Sequence, residues 1–582
     1  MRLFVVGLIL VAVLPCAAMA DSLELLTHRT DAEEWAKKVA SGLSLEKKVA
    51  QLVFIDVTGG YFPDDDPRPQ QWMALVRKGI GGVVFYGGTP RDVAALLNRL
   101  QKQAEIPVLM AGDFEGGPGQ QVTGATEFPA NMALAAIGSE ELVYKVAKVG
   151  AQEGRAMGVH LTYSPVVDLS TRPDGPAESV RSFGGDVNLL GRLVAAYLRG
   201  YMENGMLATA KHFPGRGNVE PWPERPLFSM IKKTAGEMEQ EDLAAFKKAI
   251  DAGVPVVMTE HIIVPSLTDG SDLTASVERK LATGWLRDKL GFRGLLTTDD
   301  LWYEHIVDRY GAVDVGVKAM QAGHDLLLKP KDASAMITRI VAAVRSGELS
   351  EAHINQALQK LLYWKARLGL QQNRFVDEAK VSSAVGTSEH WNLAQEVADR
   401  SLTLLKNSGV LPLTAEARKN LVHVSVQKTE ADPSPAMLAM RMQAAFPGIR
   451  NFTLRPEMEA SSYDRIFEAA QSADAILLSF FVQRDRMASA VPVRDRDLQL
   501  IERISQQKPG RVIAMSYGNP HLIRKLGAVS AFAVGYGERG WFGNQPIYFE
   551  SFIKLLKGEI QAGGRLPVRV SDEYPIGSGI VH

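Results

Sequence analysis

The feature that most constrains the fold is a regular alternation of short β-rich runs and amphipathic stretches over the first part of the chain. Eight such runs are separated by helical stretches such as Pro90–Gln103 and Glu140–Met157. Eight β/α units over about 300 residues predict a (β/α)8 barrel, a fold that typically takes about 250 residues. Alternation alone does not show closure, so a doubly wound open sheet is the alternative. The runs are Gln51–Val57, Gly82–Tyr86, Pro107–Asp113, Val159–Asp168, Met206–His212, Val254–His261, Gly294–Asp300 and Gly323–Lys329.

A second region begins after the barrel pattern ends near Leu370. With 582 residues the chain is too long for a single hydrophobic core. We therefore predict a barrel over 21–372, a polar linker over 373–395 and a smaller α/β layered sandwich domain over 396–582. The β-rich runs of the second domain are Leu402–Lys406, Leu421–Val426, Asp474–Phe481, Arg511–Tyr517, Val529–Val534 and Leu566–Val570.

The N-terminus has the pattern of a secretory signal peptide over residues 1–20. Arg2 precedes the apolar run Leu3–Pro15, and a small-x-small cleavage signal ends at Ala20. The run is too short to serve as a lasting membrane span, so we predict an exported protein, periplasmic or secreted. An uncleaved anchor, or a lipid anchor through Cys16, is the alternative. Cys16 is the only cysteine, so the mature chain would lack disulfides and cysteine metal ligands.

The charge balance excludes some partner classes. Lys and Arg total 65 and Asp and Glu total 66, which gives no electrostatic footprint for nucleic acid or an anionic membrane. The sequence does not indicate the oligomeric state.

Polar side chains follow the predicted barrel strands, at the edge where such barrels hold their active sites. Carboxylates combined with Lys and Arg suit the recognition of sugar hydroxyls, and paired acids serve glycoside hydrolysis. Taken singly, such residues often only cap a helix, but their number favours a site. They are Asp113, Asp168, Lys211, His212, Glu260, His261, Asp299 and Asp300, with Arg181 in the loop beyond the fourth run.

Eight sequence elements, taken in order along the chain, resemble those of glycoside hydrolase family 3. Within that family they resemble the bacterial two-domain β-N-acetylglucosaminidase (β-N-acetylhexosaminidase) branch. The elements are Leu43–Leu52, Asp113-x-Glu115-Gly116-Gly117, Phe128–Leu134, Ser164–Asp168, Arg181–Gly184, Lys211–Gly215, Ser401–Asn407 and Gly563–Val568.

The resemblance implies an exo-acting retaining enzyme on β-linked sugars of cell-wall-type glycans, with no metal or cofactor. Asp299 would be the nucleophile that forms a glycosyl-enzyme. The first sugar would be held by Asp113, Arg181, Lys211 and His212, and His261 would line the same pocket.

The chain departs from the family pattern after Lys211. The branch usually reads K-H-F-P-G-H-G-D and then D-S-H, whose last His is the acid/base. Here no His lies between His212 and His261, and Glu224 falls on the position of that His. Pro118 also stands where an Arg is usual, which leaves a β-glucosidase-like specificity open.

Two interpretations of the departure remain. In the first, Glu224 or Glu220 supplies the proton, with Glu260 as a third candidate. In the second, the acid is lost and the protein is a catalytically silent sugar-binding homologue. Arg225, beside Glu224, would hold that carboxylate ionised and favours the second.

A further class is a metal-dependent barrel hydrolase with His212, His261 and Asp299 as ligands. No H-x-H or H-E-x-x-H spacing supports it.

Overall fold

The computed structural model describes residues 28–63, 65–171, 179–217, 219–222, 225–481, 493–537 and 546–581. The predicted signal peptide and Cys16 lie outside these residues, and so do the side chains at 220–222 and 225–227. Each helix in the described part of the chain is too short or too polar to cross a lipid bilayer.

The first region folds around an eight-stranded parallel sheet in which strands follow one another in chain order. A parallel bridge between Thr297 and Leu326 joins the two end strands, so the sheet nearly closes into a barrel. This confirms the predicted barrel and excludes the doubly wound sheet, whose strand order reverses. The strands are β1 (Val53–Thr58), β2 (Gly82–Tyr86), β3 (Leu109–Gly112), β4 (Leu161–Thr162), β5 (Leu207–Phe213), β6 (Val256–Thr259), β7 (Leu295–Thr298) and β8 (Leu327–Leu328).

The strands read as continuous apolar runs because both of their faces are buried. Successive side chains point to opposite faces, and Val53 and Ile55 accordingly pack in one hydrophobic cluster while Phe54 packs in another. The helices of the barrel region are Arg29–Ser41, Leu45–Gln51, Pro67–Lys78, Pro90–Gln103, Asn131–Ile137, Glu140–Ala156, Val187–Met202, Ala235–Gln240, Asp242–Asp251, the π-type Lys280–Lys289, Glu304–Tyr310, Asp314–Ala322, Ala333–Arg345 and Glu351–Arg367.

The proline-containing loop after β5 forms a hairpin. Glu220–Trp222 pairs antiparallel with Arg225–Met230, and the second of these strands runs parallel to Ile262–Ile263. Because Ile262–Ile263 follows β6, the hairpin lies beside the chain that leaves β6 at the barrel mouth.

The second region contains a six-stranded mixed sheet. Its order is Thr403–Asn407, Ala531–Val534, Val512–Ser516, Ala475–Phe481, Leu421–Gln427 and Arg450–Leu454, and only the first pair is antiparallel. The helices Ser434–Ala445, Ala460–Gln471, Asp495–Gln507 and Ile547–Lys557 accompany it. The sheet confirms the predicted α/β class of this domain.

One predicted strand of this domain is wrong. Leu566–Val570 is not part of the sheet, and Arg450–Leu454 takes the sixth position instead. Leu566, Val568 and Val570 alternate as in a strand, but they lie in a hydrophobic cluster that joins the second sheet to the barrel residues Met132 and Ala133.

The predicted polar linker is held against the barrel. It contains the helix Val381–Ala384, and Ser388–Ser401 follows. Glu153, fully buried in the barrel, accepts hydrogen bonds from the Gly386 amide at 2.9 Å and His390 Nδ1 at 2.7 Å. It also accepts from the amide and hydroxyl of Thr126 at 2.9 and 2.6 Å. The domain boundaries at 372 and 395 stay predictions.

Replacing Glu153 tests this attachment. An amide in place of the carboxylate meets donors on every side, and hydrogen bonds to buried charged groups contribute about 1.5–3 kcal/mol each. We expect Glu153→Gln to lower the free energy of unfolding by about 2–3 kcal/mol and to speed trypsin cleavage after the exposed Lys380. Glu141→Gln on the same helix, which removes only a surface pair with Lys145, is the control. Equal effects of the two variants would contradict the role of Glu153.

Candidate active site

Lys211, at the end of β5, is the centre of a buried charge cluster. Its Nζ lies 2.7 Å from Asp113 Oδ1 and 2.8 Å from Glu115 Oε1. Arg181 contacts the same Glu115 carboxylate through two nitrogens, at 2.7 and 2.6 Å. The cluster therefore joins the ends of β3 and β5 to the loop after β4.

The two cations decide the protonation of Glu115. Burial alone would raise its pKa, but Arg181 and Lys211 outweigh burial and hold the pKa well below its usual range. Burial would likewise lower the pKa of Lys211, and Asp113 and Glu115 instead raise it. Glu115 and Lys211 are therefore both charged at neutral pH.

His212 is oriented by Asp168, which is completely buried. The ring Nδ1 lies 2.7 Å from Asp168 Oδ2, and the His212 amide donates to Oδ1 at 3.1 Å. The Arg216 amide donates to the same Oδ1 at 2.8 Å. One carboxylate thus sets both the ring of His212 and the start of the following loop.

Asp299 follows β7 and faces His212 and Glu260. A carboxylate oxygen of each acid and a ring nitrogen of His212 lie within 4.8 Å of one another. Asp299 Oδ1 accepts from the Asp300 amide at 2.7 Å. Burial first, and then the negative charges of Glu260 and Asp300, raise the pKa of Asp299 to about 6.

Glu260 forms an ion pair with Arg216 at the bottom of the mouth. Burial would raise the pKa of Glu260, but the Arg216 guanidinium outweighs burial and holds it well below its usual range. The His261 amide also donates to Glu260 Oε1 at 2.8 Å. In this arrangement Glu260 is ionised at neutral pH and has no proton to give.

His261 has protein partners at both ring nitrogens. Nδ1 lies 2.7 Å from Ser276 Oγ, and Nε2 lies 2.9 Å from the Asp300 carbonyl oxygen. A carbonyl can only accept, so Nε2 carries the proton and the ring fixes the backbone beside Asp299. Direct contact of His261 with a sugar stays a prediction.

Asp300 belongs to the rim of the mouth. Its Oδ2 accepts from Lys329 Nζ at 2.8 Å and from Trp302 Nε1 at 3.1 Å. Lys329 also lies 3.2 Å from the Tyr86 hydroxyl, and the Trp302 ring is 45% exposed. The rim thus presents an exposed aromatic ring beside the Asp299–Asp300 pair.

The side chains of the two predicted proton donors lie outside the described residues. Glu224 lies outside the described residues, and of Glu220 only the backbone is described, in the hairpin strand Glu220–Trp222. The structure does bring Asp113, Arg181, Lys211, His212 and Asp299 to one mouth. Glu115, Asp168 and Glu260, which the sequence also indicated, lie at the same mouth, and the structure adds Arg216 as the partner of Glu260.

The cluster of His212, Glu260 and Asp299 is a poor metal site. The Arg216 cation already neutralises Glu260. A divalent ion would lie beside a guanidinium, which opposes its binding. His261, the third ligand of the metal alternative, is not in this cluster.

The barrel is nearly closed, and carboxylates and cations lie together at the C-terminal ends of its strands. This arrangement is typical of barrel enzymes that cleave glycosidic bonds. The family model "Glycosyl hydrolase family 3 N terminal domain" matches residues 44–363. The chain therefore belongs to glycoside hydrolase family 3.

Similar proteins extend over nearly the whole chain. A "Beta-N-acetylglucosaminidase/beta-glucosidase" of Cellulomonas fimi is 30% identical over 563 residues, 92% of this chain and 96% of the relative. A "Beta-glucosidase C" of Emericella nidulans is 28% identical over 66% of each chain. The solved glycoside hydrolase family 3 β-N-acetylglucosaminidase from Paenibacillus sp. str. FPU-7 superposes with a TM-score of 0.76 at 28% identity, over 91% of this chain and 99% of that one.

The Asp299 pKa gives a pH prediction. A carboxyl that keeps its proton up to about pH 6 attacks only above that pH, so kcat/KM for an activated aryl glycoside should fall below about pH 6. Arg216 lowers the pKa of Asp299, so Arg216→Leu should move this limb to higher pH, whereas Arg216→Lys should keep it. An acidic limb near pH 4 in the unaltered protein, or one that Arg216→Leu leaves unmoved, would contradict the assignment.

Proposed function

We propose that this protein is a retaining β-glycosidase of the cell envelope. We propose that it releases a β-linked N-acetylhexosamine from the end of a glycan chain. The observation that carries the proposal is the half-buried Asp299 carboxylate at the end of β7, within 4.8 Å of Glu260 and His212. The printed names of the Cellulomonas fimi and Paenibacillus relatives support N-acetylglucosamine as the sugar. Export after Ala20 belongs to the same proposal.

The proposed reaction proceeds in two steps. Ionised Asp299 attacks the anomeric carbon, the glycosidic bond breaks, the leaving oxygen takes a proton from the acid, and a glycosyl-enzyme forms. Water then gives a proton back to that residue and attacks the anomeric carbon, and Asp299 leaves as a carboxylate, with net retention of configuration. Two carboxyl groups about 5–5.5 Å apart are the usual spacing for retention. The pKa of Asp299 is raised to about 6, but the carboxylate is still ionised at neutral pH and available for attack.

The sugar contacts are proposed from the charge cluster. Lys211 and Arg181 are held by carboxylates, so their positions are fixed before substrate arrives. Asp113, whose side chain is 28% exposed, offers an acceptor to a sugar hydroxyl. His212, oriented by Asp168, is the proposed fourth contact.

The proton donor is proposed to be Glu224 or Glu220, in the segment that follows β5. Glu224 falls on the position of the acid/base His in the family pattern. Glu260 is the weaker candidate because Arg216 keeps it ionised.

Two aryl glycosides separate the nucleophile from the acid. The 2,4-dinitrophenolate leaves without a proton, whereas 4-nitrophenolate depends more on one, so both β-N-acetylglucosaminides are compared, with Asp299→Ala as control. We expect turnover of both, abolished in Asp299→Ala. Turnover of the activated substrate alone would mean that the acid is lost. The two matching aryl β-glucosides are also tested. If none of the four substrates is turned over, a silent sugar-binding protein is favoured. If only the glucosides are turned over, a β-glucosidase is favoured.

The two glutamates serve as controls for each other. Loss of general acid catalysis lowers the rate roughly 10²–10⁴-fold, so the Gln variant of the true acid should turn over the 4-nitrophenyl substrate more slowly by that factor. Its rate on the dinitrophenyl substrate should fall far less. Glu224→Gln and Glu220→Gln are measured together, and equal losses on both substrates would contradict an acid role for either residue.

A further inference from the structure

A cavity of about 590 Å³ lies at the opposite end of the barrel from the charge cluster. Its wall includes Val254 and Pro255, just before β6, and Phe292 to Gly294, just before β7. The helices Arg29–Ser41 and Glu351–Arg367 form the other side. The full length of the barrel strands therefore separates this cavity from Asp299.

The cavity concentrates positive charge in a chain that is nearly neutral overall. Among the described residues that line it, six are cations and two, Glu33 and Glu203, are acids. Glu203 already accepts a hydrogen bond from the Tyr144 hydroxyl at 2.9 Å. The cations are Arg29, Lys37, Arg199, Arg293, Lys360 and Arg367.

Lys360 is one example of this excess of positive charge. Its Nζ lies 3.0 Å from Asp325 Oδ1, but Arg287 contacts the same carboxylate at 2.7 Å. Two cations thus share one buried anion, and burial lowers the pKa of Lys360 despite Asp325. An added negative charge at this wall would relieve the imbalance.

The rest of the wall is apolar and partly aromatic. Tyr363 and Trp364 meet edge to face with ring centroids 5.3 Å apart, and Phe292 faces the same space. Met202 and Ile250 add aliphatic surface. Sites of about 300–1,000 Å³ with apolar walls and a few fixed charges bind small organic molecules.

We infer that this cavity binds a small organic anion in which a carboxylate, sulfate or phosphate group is joined to an aromatic or aliphatic body. The cations would meet the anionic group, and the Phe292, Tyr363 and Trp364 side would cover the body. The cations outnumber the acids on this wall six to two, and a neutral sugar would not offset that excess, so the ligand differs in class from the proposed substrate.

The aromatic sulfonate 1-anilinonaphthalene-8-sulfonate is the probe. We expect saturable fluorescence enhancement with the native protein, weakened by salt, and a loss of affinity of at least about tenfold when Lys37→Glu and Arg293→Glu are combined. Lys38→Glu, on the same helix but outside the wall, is the matched control. N-phenyl-1-naphthylamine, which lacks the sulfonate, should bind more weakly and respond less to the double change.

Several results would overturn the inference. These are the absence of saturable binding, equal affinity in the double variant, an equal loss in Lys38→Glu, or displacement of the probe by N-acetylglucosamine. Circular dichroism of each variant confirms that it folds. A crystal of the unaltered protein soaked with the probe should show the sulfonate beside Lys37 or Arg293, and density only elsewhere would also overturn the inference.

Discussion

Most of the mouth depends on the position of one ammonium group. Lys211 Nζ contacts Asp113 and Glu115, and Glu115 in turn holds Arg181 by two hydrogen bonds. Four charged side chains from three parts of the barrel are thereby locked in one arrangement. Removing Lys211 would take one of its two cations from the buried Glu115, and breaking such a buried pair costs far more than losing a surface pair. The rigidity of the proposed sugar site follows from this cluster.

The second domain contributes to the same arrangement from outside. The Arg565 amide donates to the Ala136 carbonyl, and the Gly185 amide donates to the Pro567 carbonyl, each at 2.9 Å. Asn131 Nδ2 donates to the Arg181 carbonyl at 2.8 Å. The C-terminal segment therefore braces the loop that presents Arg181. A barrel without this segment would lose the support of the Arg181 loop and expose the apolar surface around Met132 and Ala133.

The sequence predicted the barrel well because its strands are buried on both faces and read as unbroken apolar runs. It misplaced one strand of the second sheet. Arg450–Leu454 is half-buried and weakly apolar, whereas Leu566–Val570 alternates like a strand but lies between the second sheet and the barrel. Asp113, Lys211, His212 and Asp299 were found because each lies at or just after the end of a strand. The pairing of Arg216 with Glu260 was not, because the two residues are 44 positions apart and only the folded barrel brings them together.

That pair has a consequence for how this mouth can vary between related chains. Glu260 without Arg216 would place a second unneutralised carboxylate against Asp299, and Arg216 without Glu260 would leave beside Asp299 a cation that has lost this ion pair. Each intermediate is penalised, while the charged pair and a neutral pair are both self-consistent. Positions 216 and 260 are therefore expected to covary, so that a homologue that differs at one of them also differs at the other.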